Sequence, residues 1–259
     1  MANVFNSPRA TLERAKHHVN DFEAAFSAFV NEKPWAYVVD IEPEPGKNIH
    51  KIDFNKDLPQ ILSVIAFDAV NNMRAVLDQI GYAAAVASGK GSPKCTNFPF
   101  GDDITSFENN LNGRKVCRDV PPEICDIFCV FQPYRGGNGE ILWAMNKLAN
   151  AKKHCALVPF SFTKAKANFR AHVPDNIVAG RGIEGVPNFD PEKRELILMI
   201  VPSDIDPHIS GNFTFDISFE TIALIRSEPA AELLKRMVGI VERILMASEA
   251  ECRRLGFIA

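Results

Sequence analysis

The segment LSVIAFDAVNNMRAVLDQIGYAAAVA, residues 62–87, decides how the rest of the chain is arranged. At 100° per residue, Leu62, Ile65, Ala66, Ala69, Met73, Val76, Leu77, Ile80 and Ala84 fall on one arc, which predicts a helix with one buried face. Asp68, Asn71, Arg74 and Asp78 occupy the opposite arc. A second segment, EILWAMNKLANAKKH at 140–154, has the same character. Ile141, Met145, Leu148 and Ala149 form its apolar side, while Asn146, Asn150 and His154 recur at i, i+4 and i+8 as one polar stripe.

Two helices of this kind predict bundle neighbours whose polar stripes face each other. Asparagine is a poor helix former, and positions 71, 72, 146 and 150 all carry it. Four asparagines in two helices point to hydrogen bonding in a shielded place, where buried polar groups must satisfy one another. The expected network pairs Asp78 with Arg74 or Lys153 and uses an asparagine to orient His154. In such a network Asn150→Leu would cost well beyond the few tenths of a kcal/mol typical of a surface change. The competing reading is a solvated face held by an Arg74–Asp78 pair at i, i+4.

Working outward, Ser7-Pro8 predicts a helix start. Leu12, Ala15, Val19, Phe22, Phe26 and Phe29 then give a helix over about 8–32 with a narrow apolar seam. Two short extended runs, Trp35–Ile41 and Asn48–Phe54, predict a β-hairpin around the Pro/Gly-rich stretch 42–47. The central helix stops at Ser88-Gly89-Lys90-Gly91-Ser92-Pro93. That fragment is no phosphate loop, because glycine follows Lys90 and the segment leaves a helix rather than a strand. Residues 93–120 read as a long loop with one helical turn near Ser106, and Pro121-Pro122-Glu123 opens a helix to about Phe131.

The run Gly136-Gly137-Asn138-Gly139 precedes the second polar helix. It is either a flexible connector or a set of free N–H groups able to hold an anion. Beyond residue 156 the pattern turns extended, with strands expected at 157–162, 169–177, 194–201 and 213–219 and turns at 180–191 and 203–211. A long helix capped by Ser227 closes the chain over about 228–255. The fold expected is α+β, a single domain over residues 1–259: a helical bundle with a β-hairpin (1–156), then a mostly antiparallel sheet with the last helix packed across it (157–259).

Composition narrows function more by exclusion than by indication. The formal charge of −3 gives no broad basic surface of the kind nonspecific DNA binding needs. No apolar run is long enough to predict a membrane span, and the first residues show no secretory signal pattern, so a cytoplasmic protein is expected. Six scattered cysteines do not form a disulfide framework. Cys125 and Cys129, with His154 and Cys155, are the one conceivable zinc set, but no Cys-x-x-Cys knuckle is present and buried free thiols are the simpler reading, so neither metal nor cofactor is expected. The nucleophile elbow, dinucleotide turn, zincin helix and EF-hand loop are all missing.

The stretches FDAVNNMRAVLDQ (67–79) and LWAMNKLANAKKH (142–154) resemble an uncharacterised bacterial protein family. In that family a helix Asp-Ala-x-His-Asn-Leu-Arg-x-x-Leu-Asp-His is followed by one ending Asn-x-Asp-Lys-His. Asp119-Val120-Pro121-Pro122-Glu123 and Gln132-Pro133-Tyr134-Arg135-Gly136-Gly137 extend the resemblance over about residues 60–160. No activity comes with it. Val70 stands where the family has histidine, Gln79 replaces the second histidine and Lys152 replaces an acidic residue, so groups able to transfer protons are lost. The ending at His154 is also similar to the HEPN superfamily of helical ribonucleases and nucleotide-binding modules. There an arginine precedes the histidine, whereas here Asn150 takes that place.

Two functions follow. One is a noncatalytic binding or assembly module for an unknown small molecule or protein, forming a homodimer through surplus apolar surface on the phenylalanine-rich first helix. The other is a HEPN-like ribonuclease, or a phosphate- or nucleotide-binding enzyme, using His154 with Arg74 or Lys153. Its candidate catalytic residues are His154, Arg74 and Asp78, and its candidate ligand-binding residues are Asn71, Asn146, Asn150 and Lys153.

Overall fold

The computed structural model describes residues 3–41, 46–112, 116–150, 159–172 and 187–259. In chain order the elements are α1 (Asn6–Asn31), β1 (Ala36–Ile41), β2 (Lys47–Asp53), α2 (Gln60–Ala87), α3 (Ile104–Asn112), α4 (Pro122–Phe131) and α5 (Glu140–Asn150). There follow β3 (Phe160–His172), β4 (Asn188–Asp190), β5 (Glu195–Pro202), β6 (His208–Phe219), a 3-10 turn (Ala223–Ile225) and α6 (Ala230–Arg254).

The fold is α+β, as the pattern predicts. Its centre is α2, whose Leu62, Ala66, Met73, Val76, Leu77 and Ile80 are buried and whose flanks pack against α1, α5 and α6. Alanines at 66, 69, 83 and 84 let those neighbours approach closely. Fully burying each Leu, Ile or Met contributes about 1.5–3 kcal/mol, so this one face is a large share of the driving force for the bundle. None of the described helices is long and apolar enough to cross a membrane.

The hairpin β1–β2 forms and continues through β5 to β4 in an antiparallel sheet of order β1-β2-β5-β4. Strand β5 is internal, and Leu196, Leu198, Met199 and Val201 are buried. The other long strands do not join this sheet: β3 and β6 pair as a separate two-stranded ribbon. Phe54, Phe162 and Phe215, with Trp35 at the edge, stack between ribbon and sheet, with Phe162 and Phe215 centroids 5.0 Å apart. One continuous apolar core runs from α1 and α2 into both sheets.

Several expectations are corrected. The strands expected at 157–162 and 169–177 are one strand from Phe160 to His172; its register shifts between Phe162 and Lys164, which breaks the side-chain alternation. Within the stretches expected as turns, residues 188–190 are strand β4 and β6 already starts at His208. Ser227 does not cap α6. Glu228 precedes Pro229, proline disfavours helical backbone at the residue before it, and the helix starts at Ala230. The helix also packs mainly on α2 and α1 and only its margin meets β6, rather than lying across the sheet.

Helix α1 begins at Asn6 with Phe5 at the cap position, so Ser7 lies inside it. Its apolar surplus is covered within the chain: Phe22 meets Phe160, and Phe26 and Phe29 both meet Phe215. The exposed apolar row lies instead on edge strand β1, at Tyr37, Val39 and Ile41.

Candidate functional site

The polar seam between α2 and α5 starts with Arg74, whose guanidinium reaches three partners. It makes an i, i+4 ion pair with Asp78, its Nε donates to Asn146 Oδ1 on α5 at 2.9 Å, and it lies 4.7 Å from the Phe100 ring centroid. Asp78 in turn accepts the backbone N–H of Phe98 through Oδ1 at 2.9 Å. Asn146 Oδ1 also accepts Asn150 Nδ2 at 3.0 Å. Arg74, Asp78 and Asn146 are all half-buried and Asn150 is exposed, so the seam closes at its inner end and meets solvent at its outer end.

The segment that supplies Phe98 is set by a glycine. A Cβ at Gly81 would sit 2.1 Å from the carbonyl oxygen of Thr96, so α2 admits this chain only because position 81 has no side chain. The same segment contacts the thiol cluster before and along α4. Cys117 donates to the Asn97 carbonyl at 3.3 Å, and its hydrogen bond with Cys125, helped by burial, pushes its pKa well above the thiol range. Cys125 is eased downward by the same contact. Of the zinc set considered above, His154 and Cys155 lie outside the described residues. Among the described residues no group of three or more His, Cys, Asp or Glu is arranged to hold a metal.

Four of the seven site residues read from the sequence, Arg74, Asp78, Asn146 and Asn150, are brought together. Asn71 is not: its Nδ2 donates to the Phe67 carbonyl of its own helix at 2.9 Å, as Asn72 does to Asp68 at 2.8 Å. A helical side-chain amide has that carbonyl always within reach, so an asparagine stripe overstates the number of bonds across an interface. Lys153 and His154 lie outside the described residues, and with them the orientation of His154. Asn150 carries one side-chain hydrogen bond and faces water, so the large effect expected of Asn150→Leu is withdrawn.

The reading from sequence missed Phe98 and Phe100, because a backbone N–H has no side-chain signature. It also missed Asp102, whose carboxylate takes Lys147 at 2.6 Å and the Trp143 indole N–H at 2.9 Å. Those two bonds, the lysine first, hold the Asp102 carboxyl below its usual range. The chain does bury a histidine beside a polar partner, but it is His50 of β2, bonded to the Tyr37 hydroxyl through Nδ1. Burial lowers the pKa of His50.

The run before α5 is an ordered turn and not a free anion cradle. Its N–H groups are spent at Gly136 on Glu140 Oε2, at Gly137 on the Tyr134 carbonyl and at Asn138 on Gln132 Oε1. Gly139 packs so tightly that a Cβ there would lie 1.9 Å from the Phe131 carbonyl oxygen.

No protein-family model, no curated protein and no solved structure matches this chain. The resemblance to the bacterial family and to HEPN proteins thus rests on the quoted motifs alone.

Proposed function

We propose that the chain is a noncatalytic binding module. The observation that carries this reading is the way Arg74 is used. A ribonuclease of the HEPN kind needs a cation free to hold the scissile phosphate, and Arg74 is committed to Asp78, Asn146 and the Phe100 ring. Asp78 is likewise occupied by an arginine and a backbone N–H, so the seam fastens α2, α5 and the segment 96–100 together. Polar groups that satisfy each other in this way specify geometry and leave nothing to give a substrate.

The test is RNA cleavage without metal by the whole chain beside His154→Ala. No cleavage by either supports the binding reading. Cleavage that disappears in His154→Ala overturns it in favour of the nuclease built on His154 with Lys153. The assembly part of the reading is a homodimer, for which the exposed β1 row of Tyr37, Val39 and Ile41 is a better motive than α1. Light scattering at 28.7 kDa, the mass of one chain, across micromolar concentrations would remove it.

A further inference from the structure

The face of α5 next to the seam, which carries Glu140, Trp143 and Lys147, borders an open cleft. Two recesses flank the exposed side chain of Leu224. The larger, about 720 Å³, lies between the start of α5 and α6, and the smaller, about 480 Å³, between α5 and residues 221–223. Both are of a size that takes a small ligand. Along α5, Glu140, Trp143 and Lys147 line the cleft at i, i+3 and i+7, and along α6 Arg236, Gly239 and Arg243 do the same. Each set projects from one helix face.

The charges here are not all matched. Arg236 pairs with Glu228 and Lys147 with Asp102. Arg243 in the larger recess and Arg135 in the smaller have no hydrogen-bonding or ionic partner among the described residues. Between the two α6 arginines sits a glycine that nothing in the protein requires. A Cβ at Gly239 would meet no atom within 4 Å, yet glycine in a helix interior costs about 1 kcal/mol relative to alanine. Its effect is to leave the floor of the larger recess low, one turn from a guanidinium on either side.

The α5 wall adds two further chemistries. The Trp143 indole is oriented by its N–H bond to Asp102, so a flat surface is set before any ligand arrives. Glu140, one turn earlier, accepts the Gly136 N–H through Oε2 and has no cation partner among the described residues. Its remaining acceptor capacity suits hydroxyl donors.

Resting on the binding-module reading, we infer that this cleft binds a ribonucleotide. The phosphate lies over Gly239 against Arg243, the sugar hydroxyls meet Glu140 and the base lies on Trp143 beside Arg135. The experiment titrates the full chain with the four ribonucleoside 5′-monophosphates by calorimetry and by tryptophan emission. Trp35 packs against Phe54 and Phe215 and supplies a constant background that Trp143→Phe isolates. At least one nucleotide is expected to bind and change the Trp143 signal. Arg243→Gln should weaken it by about tenfold or more, the loss of one charge-assisted contact. Gly239→Leu should abolish binding without lowering the melting temperature. Failure of all four nucleotides at millimolar concentration, binding unchanged in Gly239→Leu, or inorganic phosphate binding as tightly as the nucleotide overturns the inference and leaves the binding-module reading standing. Recovery of intact nucleotide supports both, whereas its conversion to a product keeps the site and overturns the noncatalytic reading.

Discussion

Two adjoining faces of α5 use polar residues in opposite ways. Toward α2, Asn146 meets an arginine whose other contacts are an aspartate and an aromatic ring, and each of these groups is occupied. In the cleft beside α6, three guanidinium groups, two carboxylates, an ammonium and an indole surround space. At the seam both charges are consumed by the fold, whereas in the cleft Arg236 and Lys147 are paired and Arg243, Arg135 and Glu140 have no ionic partner among the described residues. A polar stripe on a helix is thus evidence of function only once its partners are known, and here the side that looked functional in the sequence is the side that is already satisfied.

Glycine substitutions break this contrast most sharply. Gly81→Ala forces a Cβ to 2.1 Å from the Thr96 carbonyl oxygen, a backbone atom that cannot swing aside, with the Val120 side chain 3.3 Å away. It is expected to cost about 3 kcal/mol or more in chemical denaturation, and to detach the segment that holds Asp78. Next in size is Arg74→Leu, which leaves a half-buried carboxylate without its cation. The side chains of Arg74 and Asp78 keep 24% and 32% of their exposure, so water softens the loss, and about 1–2 kcal/mol is expected.

Gly239→Ala is expected to move in the opposite direction, raising stability by up to about 1 kcal/mol, since it gains helix propensity and meets nothing. Thermal melts of the two glycine variants side by side would read the difference between the closed and the open side with the same substitution. Any loss of stability in Gly239→Ala would show that the recess is smaller than described. The smallest effect belongs to Asn150→Leu, within a few tenths of a kcal/mol, because its amide is exposed and its one acceptor, Asn146, keeps Arg74 as donor.

How much of this was legible depended on which atoms did the work. The Arg74–Asp78 pair follows from i, i+4 spacing, and Asn146 follows from the stripe that faces it. Asn71 sits on the same stripe and turns back to its own helix, since spacing alone does not choose between a neighbour and the carbonyl one turn earlier. The Phe98 N–H was invisible because every residue but proline has one. Among the larger elements, the hairpin and the helices other than α3 were readable from the sequence; α3, nine residues over Ile104–Asn112, was expected as a single turn in a loop. The single strand Phe160–His172 was not, because its register shift looks in sequence like a break between two strands. The cleft was illegible for a different reason: Trp143, Gly239 and Arg243 are distant in the chain and no local pattern joins them.

The bond from the Phe98 N–H to Asp78 has a consequence for how this chain can drift. Because the donor is main chain, the bond itself reads no side chain at 98 and any residue but proline can supply it, and the same holds for the carbonyl that Thr96 presents to Gly81. For these two contacts the side-chain constraint falls on α2, while the rings at 98 and 100 are held separately by their packing on Phe128 and under Arg74. In relatives that keep this arrangement, position 98 would vary only among apolar side chains that fill the same core space, while aspartate at 78 and glycine at 81 stay together, and a proline at 98 would appear only where the aspartate has already been lost.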